Sequence, residues 1–207
     1  FSTFDSIKYL DPTLILWRSS SQWIGGLYFL FFIILIFSNK SFNFKMTNLT
    51  YTGENILKSE QNVRDNILKI FIYYSVLSLI FLTLLNISGI RLFNSLNLTM
   101  TLVSGGGFLP SNNLSEIIST NLQKLVLILT LILSMLNFYF LFNLFNKKTL
   151  FREHKEDFYL IAIAIVFIFL IYLYDLNGLN IIIGIVSSLA NSGISLIKSD
   201  NNLSLYF

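Results

Sequence analysis

Two short apolar runs, Leu92–Val103 and Leu179–Leu189, each lead into small polar residues: Ser104-Gly105-Gly106-Gly107 after the first and Asn191-Ser192-Gly193 after the second. Runs of roughly 12 residues are too short to cross a bilayer, whose core takes about 20 residues of helix. A half-length helix that enters a membrane and stops in a glycine-rich loop leaves main-chain groups without helical partners. Such backbone survives at that depth only where it is buried in protein or lines a water-filled cavity. The chemistry this offers is that of a pore loop, in which main-chain oxygens line a polar path. The plainer alternative is an exposed turn between apolar segments, and the short preceding helix and an internal repeat speak against it.

The repeat has a period of 86 residues, which lays Thr101-Leu102-Val103-Ser104-Gly105-Gly106-Gly107-Phe108 over Ser187-Ser188-Leu189-Ala190-Asn191-Ser192-Gly193-Ile194. Gly107 meets Gly193, and the apolar Phe108 meets Ile194. Laying Phe1 over Phe108 adds a third copy, with Phe1-Ser2-Thr3-Phe4-Asp5-Ser6-Ile7 matching the segment after the loop. The unit reads as helix, half-helix, glycine loop, helix, and the chain is a cut through a tandem array of such units.

The elements that must position these loops are apolar on every side. Four stretches are long enough, or nearly so, to span: Leu14–Phe37, Ile67–Ile90, Leu122–Phe145 and Phe158–Tyr174. Composition agrees: 54% of the 207 residues are hydrophobic and 12% charged, against about 25% charged in an ordinary soluble domain. Too little polar surface remains to clothe a soluble fold, which excludes a soluble enzyme and a disordered tail. The absence of cysteine removes disulfides and thiol-based metal sites, and a net charge of +3 gives no nucleic-acid signature. The loops Ser38–Asn66 and Asn146–Asp157, with Lys69 just beyond the first, hold nine of the 14 basic residues, which makes them cytoplasmic and turns the glycine loops outward. The fold expected is an all-α polytopic membrane protein. It divides into the end of one repeat (1–66), a complete second (67–157) and the start of a third (158–207). Because the chain begins with Phe1 and no signal peptide precedes the first apolar stretch, it reads as the middle of a longer pore protein.

Trp17-Arg18-Ser19-Ser20-Ser21-Gln22-Trp23-Ile24-Gly25-Gly26 resembles the Trp-Arg-Ser-x-x-x-Trp-x-Gly-Gly signature of the TrkH and KtrB (Trk/Ktr) potassium transporters. Val103-Ser104-Gly105-Gly106-Gly107-Phe108 resembles that family's second filter, and Glu153 before the next helix fits the same pattern. Gly105 stands where the family has Thr, and Asn191 and Ser192 replace the Thr-rich run of the third filter. The resemblance implies a potassium-channel-like pore with fourfold pseudo-symmetry, the fourth repeat lying beyond Phe207. Backbone carbonyls would replace the water of a potassium ion as transported substrate, with sodium as the alternative cargo. It implies ion contacts from the backbone of Val103, Ser104, Gly105 and Gly106, and of Ala190, Asn191 and Ser192, with Gly107 and Gly193 permitting the turn and Phe108 and Ile194 packed behind. It further implies a homodimer in the cytoplasmic (inner) membrane, in contact with lipid and with cytoplasmic nucleotide-binding regulatory subunits of the TrkA/KtrA type. The two basic loops would dock those subunits. No cofactor and no nucleic acid are expected, and no enzymatic activity.

Rival readings are kept beside these. Trp17 and Trp23 suit ordinary interfacial aromatics, Gly25 and Gly26 a close helix-packing site, and Arg18 a snorkelling side chain or a partner for an acidic group. His154, among Arg152, Glu153, Lys155, Glu156 and Asp157, reads as a solvated loop residue, and Asn97-Leu98-Thr99 as a chance glycosylation triplet. A membrane-embedded subunit of a respiratory or other enzyme complex is the functional alternative. It needs ionisable groups within its spans, and these spans hold almost none. A plain membrane anchor would not need paired re-entrant loops.

Overall fold

Local chain stops decide where these apolar segments begin and end. The computed structural model describes residues 11–38, 63–111, 113–136, 155–173, 178–194 and 196. The segment Phe1–Ile7, the docking loops except for the residues at their edges, His154, Phe145 and Tyr174 lie outside the described residues. The regular structure among the described residues is all helical, with no strand.

Helix α1 (Pro12–Ser38) starts at an Asp-Pro step. Proline suits the first helical position because its missing N–H has no intrahelical partner there. The amide of Thr13 donates to the Asp11 Oδ1 at 2.9 Å, and hydrogen bonds from Thr13 hold that carboxyl below its ordinary range. At 27 residues α1 extends about 40 Å. Helix α2 (Val63–Ile87) ends at Gly89, whose φ of +92° suits glycine. Its amide donates to Asn86 O and that of Ile90 to Leu85 O, the paired bonds of a Schellman stop. The chain reverses within residues 88–91 and enters the half-helix α3 (Leu92–Ser104).

A 3-10 turn at Leu114–Glu116 leads into α4 (Asn121–Met135). A capping box opens α4: Thr120 Oγ1 accepts from the Gln123 amide while Gln123 Oε1 accepts from the Thr120 amide. Helices α5 (Lys155–Leu173) and α6 (Gly178–Leu189) complete the described chain. The two half-helices match the sequence expectation to within one residue at each end.

The core forms where α2, α3, α4 and α6 converge. Phe81, Leu85, Leu98, Leu102, Leu127, Leu131, Ile183 and Val186 are fully buried there, joined by Ala190 and Ile194 of the second glycine loop. A smaller cluster of Leu27, Leu30, Ile70 and Tyr74 joins α1 to α2. The outward faces stay apolar: Phe29, Phe32, Leu79, Ile165 and Phe169 are each more than half exposed. Apolar exposure on this scale marks a surface for lipid or for another protein. Among the described residues, Ile67–Ile87 is the one helical segment long and apolar enough to cross a membrane, with a mean hydropathy of 2.1. Asn121–Met135, Phe158–Leu170 and Gly178–Leu189 are shorter apolar helices.

Candidate functional site

The two loops repeat in backbone geometry as well as in sequence. After α3, Gly105 adopts φ +66°, its amide donating to Leu102 O and that of Gly106 to Thr101 O. After α6, Asn191 adopts φ +55°, its amide donating to Ser188 O and that of Ser192 to Ser187 O. Each pair is a Schellman stop, and the two lie in the 86-residue register of the sequence repeat. Two residues further on, Gly107 and Gly193 again take positive φ, +137° and +62°. Left-handed residues thus occur first at Gly105, directly after α3, and at Asn191, two residues after the end of α6, and again at Gly107 and Gly193 where the turn was expected.

This geometry suits the residues found at the two caps, Gly105 and Asn191. A left-handed cap favours Gly or Asn and disfavours a β-branched Thr. Gly105→Asn is accordingly expected to leave thermal stability near the parent level. Gly105→Val should cost about 1–2 kcal/mol for the left-handed conformation, measured by thermal unfolding in detergent.

The loops also meet. A Cβ placed on Gly107 would run into the carbonyl oxygen of Ser192, so backbone lies against backbone across the two repeats. Val103, Ser104, Gly106 and Gly107 are half-buried and Gly105 is exposed; in the other loop Ala190 and Ser192 are buried while Asn191 and Gly193 are exposed. Among the described residues, no backbone amide donates to the carbonyls of Val103, Ser104, Gly105, Gly106 or Gly107, nor to those of Ala190, Asn191, Ser192 or Gly193. Both half-helices aim their C-terminal ends, which carry partial negative charge, at this junction. The arrangement offers main-chain oxygens and a negative potential, the two things that favour a cation.

One stripe of α1 supports the first loop. Arg18, Gln22 and Gly26 recur every four residues and so share a helix face. The Arg18 guanidinium carbon lies 4.3 Å above the centre of the Phe108 ring, a contact worth about 0.5–2 kcal/mol. Its Nη1 is buried without a hydrogen-bond partner. Arg18 therefore stacks on the loop, where snorkelling or pairing with an acid was expected. Gln22 Oε1 lies 3.2 Å from the Thr101 hydroxyl, and its carboxamide fills the space beside Gly106. Gly26 admits the Tyr74 hydroxyl and Ser104, whereas neighbouring Gly25 has open space around it; of the two expected packing glycines, one packs. Trp23 is a helix peg, with Nε1 donating to Ser78 Oγ at 2.8 Å and its ring centroid 5.1 Å from that of Tyr74. Trp17 remains exposed.

Phe108 and Ile194 part company. Ile194 is buried in the core, as expected behind a loop, while Phe108 is 41% exposed beneath Arg18. The reason is which main-chain group faces the half-helix. At Phe108 the carbonyl accepts from the Thr101 hydroxyl at 2.9 Å; at Ile194 the amide donates to the Ser187 hydroxyl. The available sequence signal for these hydroxyls is the overlay of Thr101 on Ser187, and for Gln22 nothing beyond its place on the Arg18 face. Asn97 is fully buried with its Nδ2 bonded to Phe93 O, so it is no glycosylation acceptor in this fold. The buried polar side chains among the described residues are Ser, Thr, Asn and Gln, without an acid or a base. No group of three His, Cys, Asp or Glu gathers as a metal site among the described residues.

Over 111 residues the chain is 33% identical to an uncharacterized cation transporter of Methanocaldococcus jannaschii. The match covers 52% of this chain, which spans 22% of that relative's length. No family model matches, and no solved structure does.

Proposed function

We propose that this chain forms part of a cation-transporting pore and that its cargo is potassium. The observation that carries the reading is the pair of loops with matching backbone geometry, in register with the sequence repeat, meeting at Gly107 and Ser192. The similarity to a protein named as a cation transporter supports the same class of function. A cation that sheds part of its water needs oxygen ligands held at fixed positions. The backbone of Val103, Ser104, Gly105, Gly106 and Gly107 supplies one side of the path. That of Ala190, Asn191, Ser192 and Gly193 supplies another, and further repeats complete the ring. Potassium over sodium rests on the likeness of Val103–Phe108 to the Trk/Ktr second filter. The apolar outer faces support a multi-pass placement in the cytoplasmic membrane, where the protein pairs as a homodimer and binds nucleotide-binding regulatory subunits through its basic loops.

The test is complementation. The full-length protein should restore growth of a potassium-uptake-deficient strain at low potassium. Gly106→Val should diminish that rescue, because its Cβ displaces the Gln22 carboxamide from its place against Thr101 and its branches crowd the loop. Undiminished rescue by Gly106→Val would overturn the filter assignment.

A further inference from the structure

We infer that the hydroxyls of Thr101 and Ser187 are positioning residues that set ion discrimination, each pinning the far end of its own loop. The inference rests on the proposed pore and goes beyond it, since neither hydroxyl touches the ion path.

A loop whose carbonyls accept no backbone hydrogen bond is held only at its ends. The Schellman stop fixes the near end, where Gly105 and Gly106, or Asn191 and Ser192, close back on the helix. Nothing in that motif fixes residues 108 and 194. One hydroxyl in the last turn of each half-helix does so, by opposite hydrogen-bond polarity: Thr101 donates to the carbonyl of Phe108, and Ser187 accepts from the amide of Ile194. A hydroxyl both donates and accepts, so this one group serves both loops, and a carbonyl or an amide alone would serve only one of them.

Both hydroxyls are fully buried, and a buried hydroxyl weakens a fold unless it is bonded. The pins are themselves braced. Ser187 Oγ lies 3.0 Å from Ser192 Oγ, and Ser192 Oγ donates to Ser187 O at 3.2 Å. On the other side, Gln22 reaches across from α1 to Thr101. With its carboxamide turned end for end, Gln22 donates through Nε2, and one relay runs from Gln22 to Thr101 to Phe108 on the single hydroxyl proton. The Gly107–Ser192 contact then couples the two pinned loops directly. Releasing a pin frees carbonyl positions along its loop. A freed loop binds cations less tightly and discriminates between them less, because discrimination depends on how closely oxygen positions are held.

The experiment measures potassium and sodium uptake by the full-length protein in the potassium-uptake-deficient strain, with the amount of protein in the membrane determined for every variant. Thr101→Val and Ser187→Val keep or extend the apolar bulk and remove the hydroxyl. Each is expected to raise the apparent KM for potassium by about tenfold and to narrow the preference over sodium, with maximal uptake per molecule nearly unchanged. Thr101→Ser and Ser187→Thr keep the hydroxyl and should restore both quantities. Thr101→Ala and Ser187→Ala give the same readout without added bulk, should a valine reduce accumulation. Parental KM and preference in the valine and alanine variants, alongside diminished uptake in Gly106→Val, would overturn the inference while leaving the pore reading standing. Normal uptake in Gly106→Val as well would remove the pore reading and the inference with it.

Discussion

Gly107→Ala is expected to abolish cation uptake while the protein still reaches the membrane. Two costs fall on this one methyl group. The backbone sits at φ +137°, a conformation that costs an L-residue about 1–3 kcal/mol. The new Cβ would also run into the carbonyl oxygen of Ser192. That carbonyl cannot step aside freely, because the Ser192 amide is bonded to Ser187 O and its hydroxyl packs on Ser187. The loops must therefore separate, and oxygens of both repeats leave their positions together. Gly193→Ala provides the contrast: it takes positive φ but has open space around it, so it pays for the conformation alone, about 1–2 kcal/mol. Potassium uptake per molecule, with membrane abundance measured in parallel, checks both. Full uptake by Gly107→Ala would mean that the loops do not need to touch.

Gly26→Leu is expected to unseat α1 from the first loop and lose both stability and uptake. A Cβ at Gly26 would lie 2.7 Å from the Tyr74 hydroxyl oxygen and 3.1 Å from Ser104 Cβ. Tyr74 has little room to retreat, since its hydroxyl donates to Trp23 O at 3.0 Å and the side chain is buried. Ser104 ends the half-helix that carries the loop. Overpacking a tight contact costs about 1–3 kcal/mol, and here the yielding element is the one that holds the carbonyls. Thermal unfolding in detergent should show a clear drop for Gly26→Leu and little change for Gly25→Leu, whose surroundings are open. Gly26→Ala should be partly rescued by Tyr74→Phe, which removes the nearest atom. A parental melting temperature for Gly26→Leu would show that α1 does not dock as closely as described.

These two glycines show how differently similar residues behave in this chain. Gly25 and Gly26 are indistinguishable as sequence, and so are Gly105, Gly106 and Gly107. Each has its own surroundings: open space at Gly105, a side chain at Gly106, and the backbone of another repeat at Gly107. Composition and periodicity report what a residue can tolerate; they do not report what lies against it.

What the sequence by itself determined most closely is the pair of half-helices. The expected span Leu122–Phe145 is a described helix only as far as Met135, with Leu136 already extended. Among the described residues Ile67–Ile87 is the one helical segment long and apolar enough to cross a membrane. Local hydrogen-bond stops and apolar run lengths are properties of neighbouring residues, so α3 and α6 were legible almost to the residue, as was the 86-residue register that makes their loops alike. Arg18, Gln22 and Gly26 stand four residues apart in the sequence, but nothing in that spacing marked Gln22 for a role. Only the tertiary structure decided what those three residues face, that Phe108 turns out to Arg18 while Ile194 turns into the core, and that Gly107 abuts Ser192. Those facts join residues far apart in the chain, 48 positions for Gly26 and Tyr74 and 79 for Gln22 and Thr101. Contacts over such separations are fixed by how helices pack, and a single sequence carries no local signal of that packing.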